Sequence, residues 1–209
     1  MKKSVKKQTK RNTKSNARRK PKKQTNNAYV KIINFLATSC YVGYLPKAPG
    51  TWGSLFTVAL FWLVFRHLNF SYFLWFILLI FAAGVFISGE YNRLHGQKDA
   101  PEAVIDEVLG QSIALLPVVW LFYTIKRIEP EMLTLYIVHL HFLLGTLISF
   151  GLFRFFDILK PLGIKQVEKL PGGWGVMLDD VLAAVYAFIV FMLLAFIFWY
   201  TTLVVYIVN

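Results

Sequence analysis

A single cysteine, Cys40, stands in a chain of 209 residues, which excludes an internal disulfide and any cysteine-rich metal site. Acidic residues are absent before Glu90, and charged residues make up only 16% of the chain, against about 25% in an average soluble protein. Familiar catalytic signatures are missing too. Cys40 is followed six positions later by Pro46, so there is no Cys-x5-Arg loop. There is no Asp-x-Asp-x-Thr/Val nucleophile, no Lys-x6-Arg-Pro signature and no Gly-x-Ser-x-Gly elbow. A basic stretch precedes any apolar region and lacks a small-residue cleavage pattern, so no secretory signal peptide is expected.

What is abundant is apolar surface. Hydrophobic residues reach 56%, with 19 Phe and 6 Trp, more than a soluble domain of this size can hide. The expected fold class is all-α: a polytopic helical membrane protein with about four to five membrane helices and a disordered basic N-terminal tail. The net charge of +12 belongs to that tail. Twelve of the 23 Lys and Arg residues lie between Lys2 and Lys23, and the remaining 11 are balanced by 11 acidic residues. Residues 1–28 hold almost nothing apolar and cannot fold alone; residues 29–209 form the membrane domain. Beside so apolar a body, the tail suits an anionic phospholipid membrane rather than nucleic acid, each charge being worth about 1 kcal/mol near such a surface. A solvated tail that only sets topology is the plainer alternative.

Apolar runs place the spans at 53–65, 70–88, 103–125, 132–153 and 181–208. The first is short for a bilayer core, which needs about 20 helical residues. Pro117 predicts a kink in the third. With the basic tail held in the cytoplasm, five spans put the 43–52, 89–103 and 154–180 loops on the cytoplasmic side. Nine of the 11 acidic residues lie on or near those loops, which suggests a site there. If the first run does not cross, that alternation fails.

Asp106 and Glu107 open a membrane helix, with Gly110 on the Asp106 face. Buried carboxylates cost several kcal/mol unless paired, hydrated or metal-bound, so they read either as ligands for a hard cation such as Mg²⁺ or as N-terminal acids favoured by the helix dipole. Asp179 and Asp180 precede the last span, where one Asp serves as a cap; two adjacent ones lean towards metal. Arg154, Asp157 and Lys160 are spaced to share a helix face until Pro161, a pattern for a phosphate or for an interfacial ion pair. Asp99 reads first as a cap with Glu102 in a capping box. The glycine-containing run holding Gly50, Thr51 and Gly53, and a second at 172–175, offer backbone N–H groups to an anion. His139 and His141 point to different helix faces and read as packing or polar contacts.

Four runs together carry a resemblance: Pro46-Lys-Ala-Pro-Gly-Thr-Trp-Gly-Ser-Leu55, Val104-Ile-Asp-Glu-Val-Leu-Gly110, Phe153-Arg-Phe-Phe-Asp-Ile-Leu-Lys-Pro161 and Gly172-Gly-Trp-Gly-Val-Met-Leu-Asp-Asp-Val-Leu-Ala183. In order and approximate spacing they resemble the phosphatidylglycerophosphatase A family. The resemblance implies removal of the terminal phosphate of phosphatidylglycerophosphate, with Mg²⁺, at a bacterial inner membrane and from its cytoplasmic side. It implies Asp99, Asp106, Glu107, Asp157, Asp179 and Asp180 as catalytic acids, with Asp106, Glu107, Asp179 and Asp180 holding the metal. Arg154, Lys160, Gly50, Thr51 and Gly53 would bind substrate. Leu162-Gly163 and Val167-Glu168-Lys169 depart from the family pattern. A small transporter using the same carboxylates as a cation pathway is the alternative, although no inverted repeat is visible. A structural subunit is a third reading, and a homo-oligomer is compatible with the sequence.

Overall fold

A computed structural model describes residues 27–97, 100–128, 131, 136–161 and 163–208. Asp99 and nearly all of the basic tail therefore lie outside the described residues. Helices make up the fold, and no strand occurs among the described residues. In chain order they are α1 (Asn27–Ala37), α2 (Pro49–Leu63), α3 (Phe70–His95), α4 (Ile105–Ala114), α5 (Leu116–Ile128), α6 (Tyr136–Leu159), α7 (Ile164–Val167) and α8 (Gly173–Val208).

Among the described residues, three stretches are long and apolar enough to cross a membrane: Phe70–His95, Val138–Leu159 and Gly173–Thr201. Together α4 and α5 make a fourth, bent by 54° between Ala114 and Leu116. The bend has two local causes. Pro117 lacks the N–H that would bond back one turn, and Ser149 Oγ of α6 takes up the Ala114 carbonyl at 2.7 Å. The kink expected at this proline is present, displaced two residues towards the N-terminus.

Helix α2 is only 15 residues, about 22 Å at helical rise, and falls short of a span by length. Its C-terminal end is nonetheless tied to the far end of α5: Tyr123 Oη donates to the Phe65 carbonyl, and Lys126 Nζ donates to the Arg66 carbonyl at 2.9 Å. Short as it is, α2 thus runs from the end that carries Glu107 to the far end of α5. Exposed aromatic residues stand near both ends. Trp52 and Trp174 open α2 and α8, whereas Tyr72 and Trp75 open α3 from the opposite end; Trp199 and Tyr200 lie late in α8. Trp174 and Trp199 are about 38 Å apart along the helix, matching the spacing of the two interfaces where such rings settle.

Packing differs along this axis. The end near Phe61 is an aromatic cluster of Phe61, Phe73, Phe122 and Phe142 around Leu115 and Val119. Alanines dominate the contact of α8 with α4 and α6: Ala183, Ala184 and Ala187 are buried against Ala114 and Phe153. Small residues let helix backbones approach closely where lipid provides no hydrophobic drive between helices. At Gly110 a Cβ would lie 2.4 Å from the Phe153 ring and 3.2 Å from Asp180 Cβ. That closeness brings the acids of α4 and α8 together.

Candidate active site

Asp106 and Glu107 occupy the first turn of α4. Asp179 and Asp180 do not precede α8 as the sequence pattern suggested. They sit in its second turn, because the helix starts at Gly173, preceded by Gly172 at φ +65°. The N-cap explanation of this pair is therefore removed. Gly173 enters that helix because a Cβ there would lie 1.9 Å from the Val85 carbonyl oxygen, so α8 begins pressed against the backbone of α3.

Carboxylate oxygens of Asp106, Glu107 and Asp180 all lie within 4.8 Å of one another. Asp106 and Asp180 are buried, 7% and 4% exposed. Two oxygens of the group, Glu107 Oε2 and Asp180 Oδ2, are buried with no hydrogen-bond partner. Acidic oxygens converging on one point, two of them unsatisfied, are what a hard cation with oxygen coordination takes. The donor set fits such an ion.

Two cations flank the cluster, each already engaged. Arg154 Nη1 lies 2.8 Å from Asp157 Oδ2 one turn along α6. Lys160 Nζ reaches Asp179 Oδ2 at 2.6 Å and Glu168 at 3.7 Å. Burial alone would pull the Lys160 ammonium down, but the hydrogen bond and charge of Asp179, with Glu168 and Asp180 behind it, hold its pKa above the ordinary lysine value. The sequence spacing placed Asp157 between two cations. In the structure the three residues separate into two pairs, because Lys160 ends α6 at φ +44° and turns to α8. Asp179 takes this contact on one oxygen and the Asp180 N–H at 3.0 Å on the other, and the carboxylates that converge are those of Asp106, Glu107 and Asp180.

Gly50 and Gly53 lie inside α2, where they permit close approach. A Cβ at Gly50 would fall 2.1 Å from Glu107 Oε1 and 3.1 Å from Arg154 Nη1; one at Gly53 would meet Val104 Cβ at 2.9 Å. Thr51 is half-buried in the same turn, its N–H donating to the Ala48 carbonyl. The positions immediately before α4 are anchored as well. Val104 N–H donates to the Ala37 carbonyl of α1 at 2.9 Å, and a Cβ at Gly43 would overlap the Glu102 carbonyl.

Known proteins resemble the chain over the region that carries these residues. A family model described as Phosphatidylglycerophosphatase A covers residues 35–195, which include α2 to α6 and every carboxylate above. The chain belongs to the phosphatidylglycerophosphatase A family. It is 37% identical over 171 residues to a Haemophilus influenzae protein named Phosphatidylglycerophosphatase A, covering 79% of this chain and 93% of that one. An Escherichia coli protein of the same name is 26% identical over 153 residues, 73% and 77% of the two chains. A Bacteroides thetaiotaomicron protein named "Putative phosphatidylinositol-3-phosphatase" is 35% identical over 155 residues, 70% and 83%. No solved structure matches the chain at a significant level.

Sequence reasoning missed Glu168, which shares Lys160 with Asp179, and Gln111, fully buried one turn beyond Glu107. Glu168 gave no signal because its partner is eight residues away across a proline. A lone glutamine inside an apolar run was the signal for Gln111.

Proposed function

We propose that this protein hydrolyses the terminal phosphomonoester of phosphatidylglycerophosphate, giving phosphatidylglycerol and phosphate, with Mg²⁺ held by Asp106, Glu107 and Asp180. The observation carrying this reading is the convergence of those three carboxylates, two of their oxygens unsatisfied, beside Arg154 and Lys160, in a chain of this family. Asp99 and Asp157 remain proposed as further catalytic acids, and Gly50, Thr51 and Gly53 as part of the substrate-binding wall.

Charge supports the ion. Five carboxylates (Asp106, Glu107, Asp157, Asp179 and Asp180) face two cations, and both cations are paired. A phosphate dianion would be repelled from such a site without added positive charge. Bound Mg²⁺ supplies Lewis-acid polarisation of the phosphoryl group and offsets its charge. Arg154, swinging from Asp157, clamps phosphate oxygens in a bidentate geometry; Lys160 adds a point charge from the other side. Asp157, released by Arg154, is placed to accept a proton from an attacking water or to attack phosphorus itself.

The acids gather at one end of the bundle, at the starts of α4 and α8, as a headgroup enzyme needs. A cation path would line its acids through the bilayer. The basic tail, by the positive-inside rule, supports a cytoplasmic site at a bacterial inner membrane, in contact with anionic lipid. The name of the Bacteroides relative favours a second substrate, a phosphatidylinositol phosphate monoester. Both are tested together by measuring phosphate release from each lipid in detergent micelles, with Mg²⁺ and with a chelator. The expected result is Mg²⁺-dependent release from phosphatidylglycerophosphate, lost in Asp106→Asn. Wild-type activity in that variant would sink the metal assignment.

A further inference from the structure

Gln111 has no exposed surface, and neither its Nε2 nor its Oε1 has a hydrogen-bond partner. A primary amide carries two donors and an acceptor, and leaving all of them bare in an apolar interior is costly. Within a bilayer there is no bulk water to relieve that cost. A leucine or methionine would fill the same space without it.

Its position on α4 is informative. Val104, Glu107 and Gln111 fall on one stripe of the helix, at i, i+3 and i+7. The first two meet α2, since Cβ atoms at Gly53 and Gly50 would run into Val104 and Glu107. Gln111 therefore continues the stripe towards α2. The hydroxyls of that helix are committed elsewhere: Ser54 Oγ donates to the Gly50 carbonyl and Thr57 Oγ1 to the Gly53 carbonyl, both at 3.1 Å. Helical side chains lean towards the N-terminus, so the Gln111 amide is directed back at the turn carrying Glu107. There, Glu107 Oε2 is the other buried, unpartnered oxygen of the stripe.

We infer that Gln111 is a positioning residue. Its Nε2 donates through one water to one lone pair of Glu107 Oε2, which steadies the carboxylate and leaves the other lone pair to the cation. The inference rests on the metal reading of the cluster given above. Partners of this kind orient a ligating carboxylate, and their loss typically weakens metal affinity about 10–100-fold.

The test uses the full-length protein in detergent micelles. Thermal unfolding is followed during a Mg²⁺ titration without substrate, and initial rates give the half-saturating Mg²⁺ concentration and the KM for lipid. Gln111→Met fills the same space with an apolar group and should still fold without metal, its unfolding temperature lowered by no more than the loss of one hydrogen bond to Glu107. It should need at least about tenfold more Mg²⁺ for the same thermal shift, with an unchanged KM for lipid. If Gln111→Met does not fold, Gln111→Ala is read by the same Mg²⁺ titration. A wild-type protein with no Mg²⁺ shift overturns the metal reading and this inference with it. A wild-type shift reproduced at the same Mg²⁺ concentration by the variant overturns the positioning role alone. Lower metal-free stability with unchanged Mg²⁺ response assigns Gln111 to packing and likewise refutes the proposal.

Discussion

Replacing Gly50 by alanine separates the activity of this site from the stability of the fold. The added Cβ would sit 2.1 Å from Glu107 Oε1, and an ordinary contact is about 3.4 Å, so the carboxylate must retreat by about 1.3 Å. It can do so, because it is the far end of a flexible side chain. Alanine in a helix is worth up to about 1 kcal/mol over glycine, which offsets the local crowding. Stability should therefore stay near wild type, with Tm within about 4 °C. Activity should not. A misplacement of about 1 Å at a reacting centre can cost about 100-fold in rate, or about 2.7 kcal/mol of transition-state stabilisation. Arg154 Nη1, 3.1 Å from the same added atom, is displaced in concert. Phosphate release from micellar phosphatidylglycerophosphate at saturating Mg²⁺ measures kcat/KM, and thermal unfolding supplies the control. Gly173→Ala is the counter-example: its Cβ would meet the Val85 carbonyl oxygen at 1.9 Å. Backbone cannot swing away, so this variant should lose about 1–3 kcal/mol or more and fail first in Tm or expression. Gly50→Ala with kcat/KM within threefold of wild type would refute the claim that Glu107 is held in a functional position by the missing side chain.

Three further outcomes are expected. Lys160 holds φ +44°, a conformation that costs a non-glycine residue about 1–2 kcal/mol; Lys160→Gly and Lys160→Ala lose the same ion pair, but glycine should be the more stable by about 1 kcal/mol, the reverse of the order in a regular helix, as paired Tm measurements will show. Ser149→Ala leaves the buried Ala114 carbonyl at the α4–α5 bend without its 2.7 Å donor and should cost about 1–3 kcal/mol in denaturant unfolding, with KM for lipid unchanged. Asp180→Asn should weaken the Mg²⁺-induced rise in Tm, whereas Asp179→Asn, altering the partner of Lys160 instead, should lower metal-free stability more than Mg²⁺ response.

Most of the fold was legible because hydropathy runs report spans directly, and Pro117 declared its own kink. Boundaries were misplaced where polar residues enter a helix for functional reasons. Reading the last span from Val181 followed the two aspartates, yet α8 begins at Gly173, since its first turns are dictated by contact with the α3 backbone at Gly89 and Val85. The carboxylates themselves were legible from their rarity in apolar surroundings. Their partners were not. The pairing of Lys160 with Asp179 spans 19 residues and depends on a left-handed residue ahead of Pro161, which no helical periodicity reveals. Gly50 and Gly53 looked like an anion loop from sequence; in the structure they also lie where Glu107 and Val104 need room.

The electrostatics of the three-carboxylate group explain why it is placed at the end of a bundle of small-residue contacts. No pair in the group is more than 4.8 Å apart, so each ionised pair repels by about 3.5 kcal/mol at an effective dielectric of 20. Three such pairs approach the whole stability of a typical domain, about 5–15 kcal/mol. That repulsion is offset either by a proton taken up by one of the carboxyls or by positive charge among them, and Arg154 and Lys160 are already paired with Asp157 and Asp179. The packing at Gly110, Ala183 and Ala184 forces the approach, and an oxygen-seeking cation relieves it. If this balance is right, Mg²⁺ should raise the Tm of wild type markedly, while Asp106→Asn, which removes one charge from two of the three pairs, should raise metal-free Tm and lose most of the Mg²⁺ increment. An Asp106→Asn protein that is less stable without metal than wild type would mean that the repulsion is absorbed by hydrogen bonds within the fold, and the need for a cation would have to be argued from the phosphate alone.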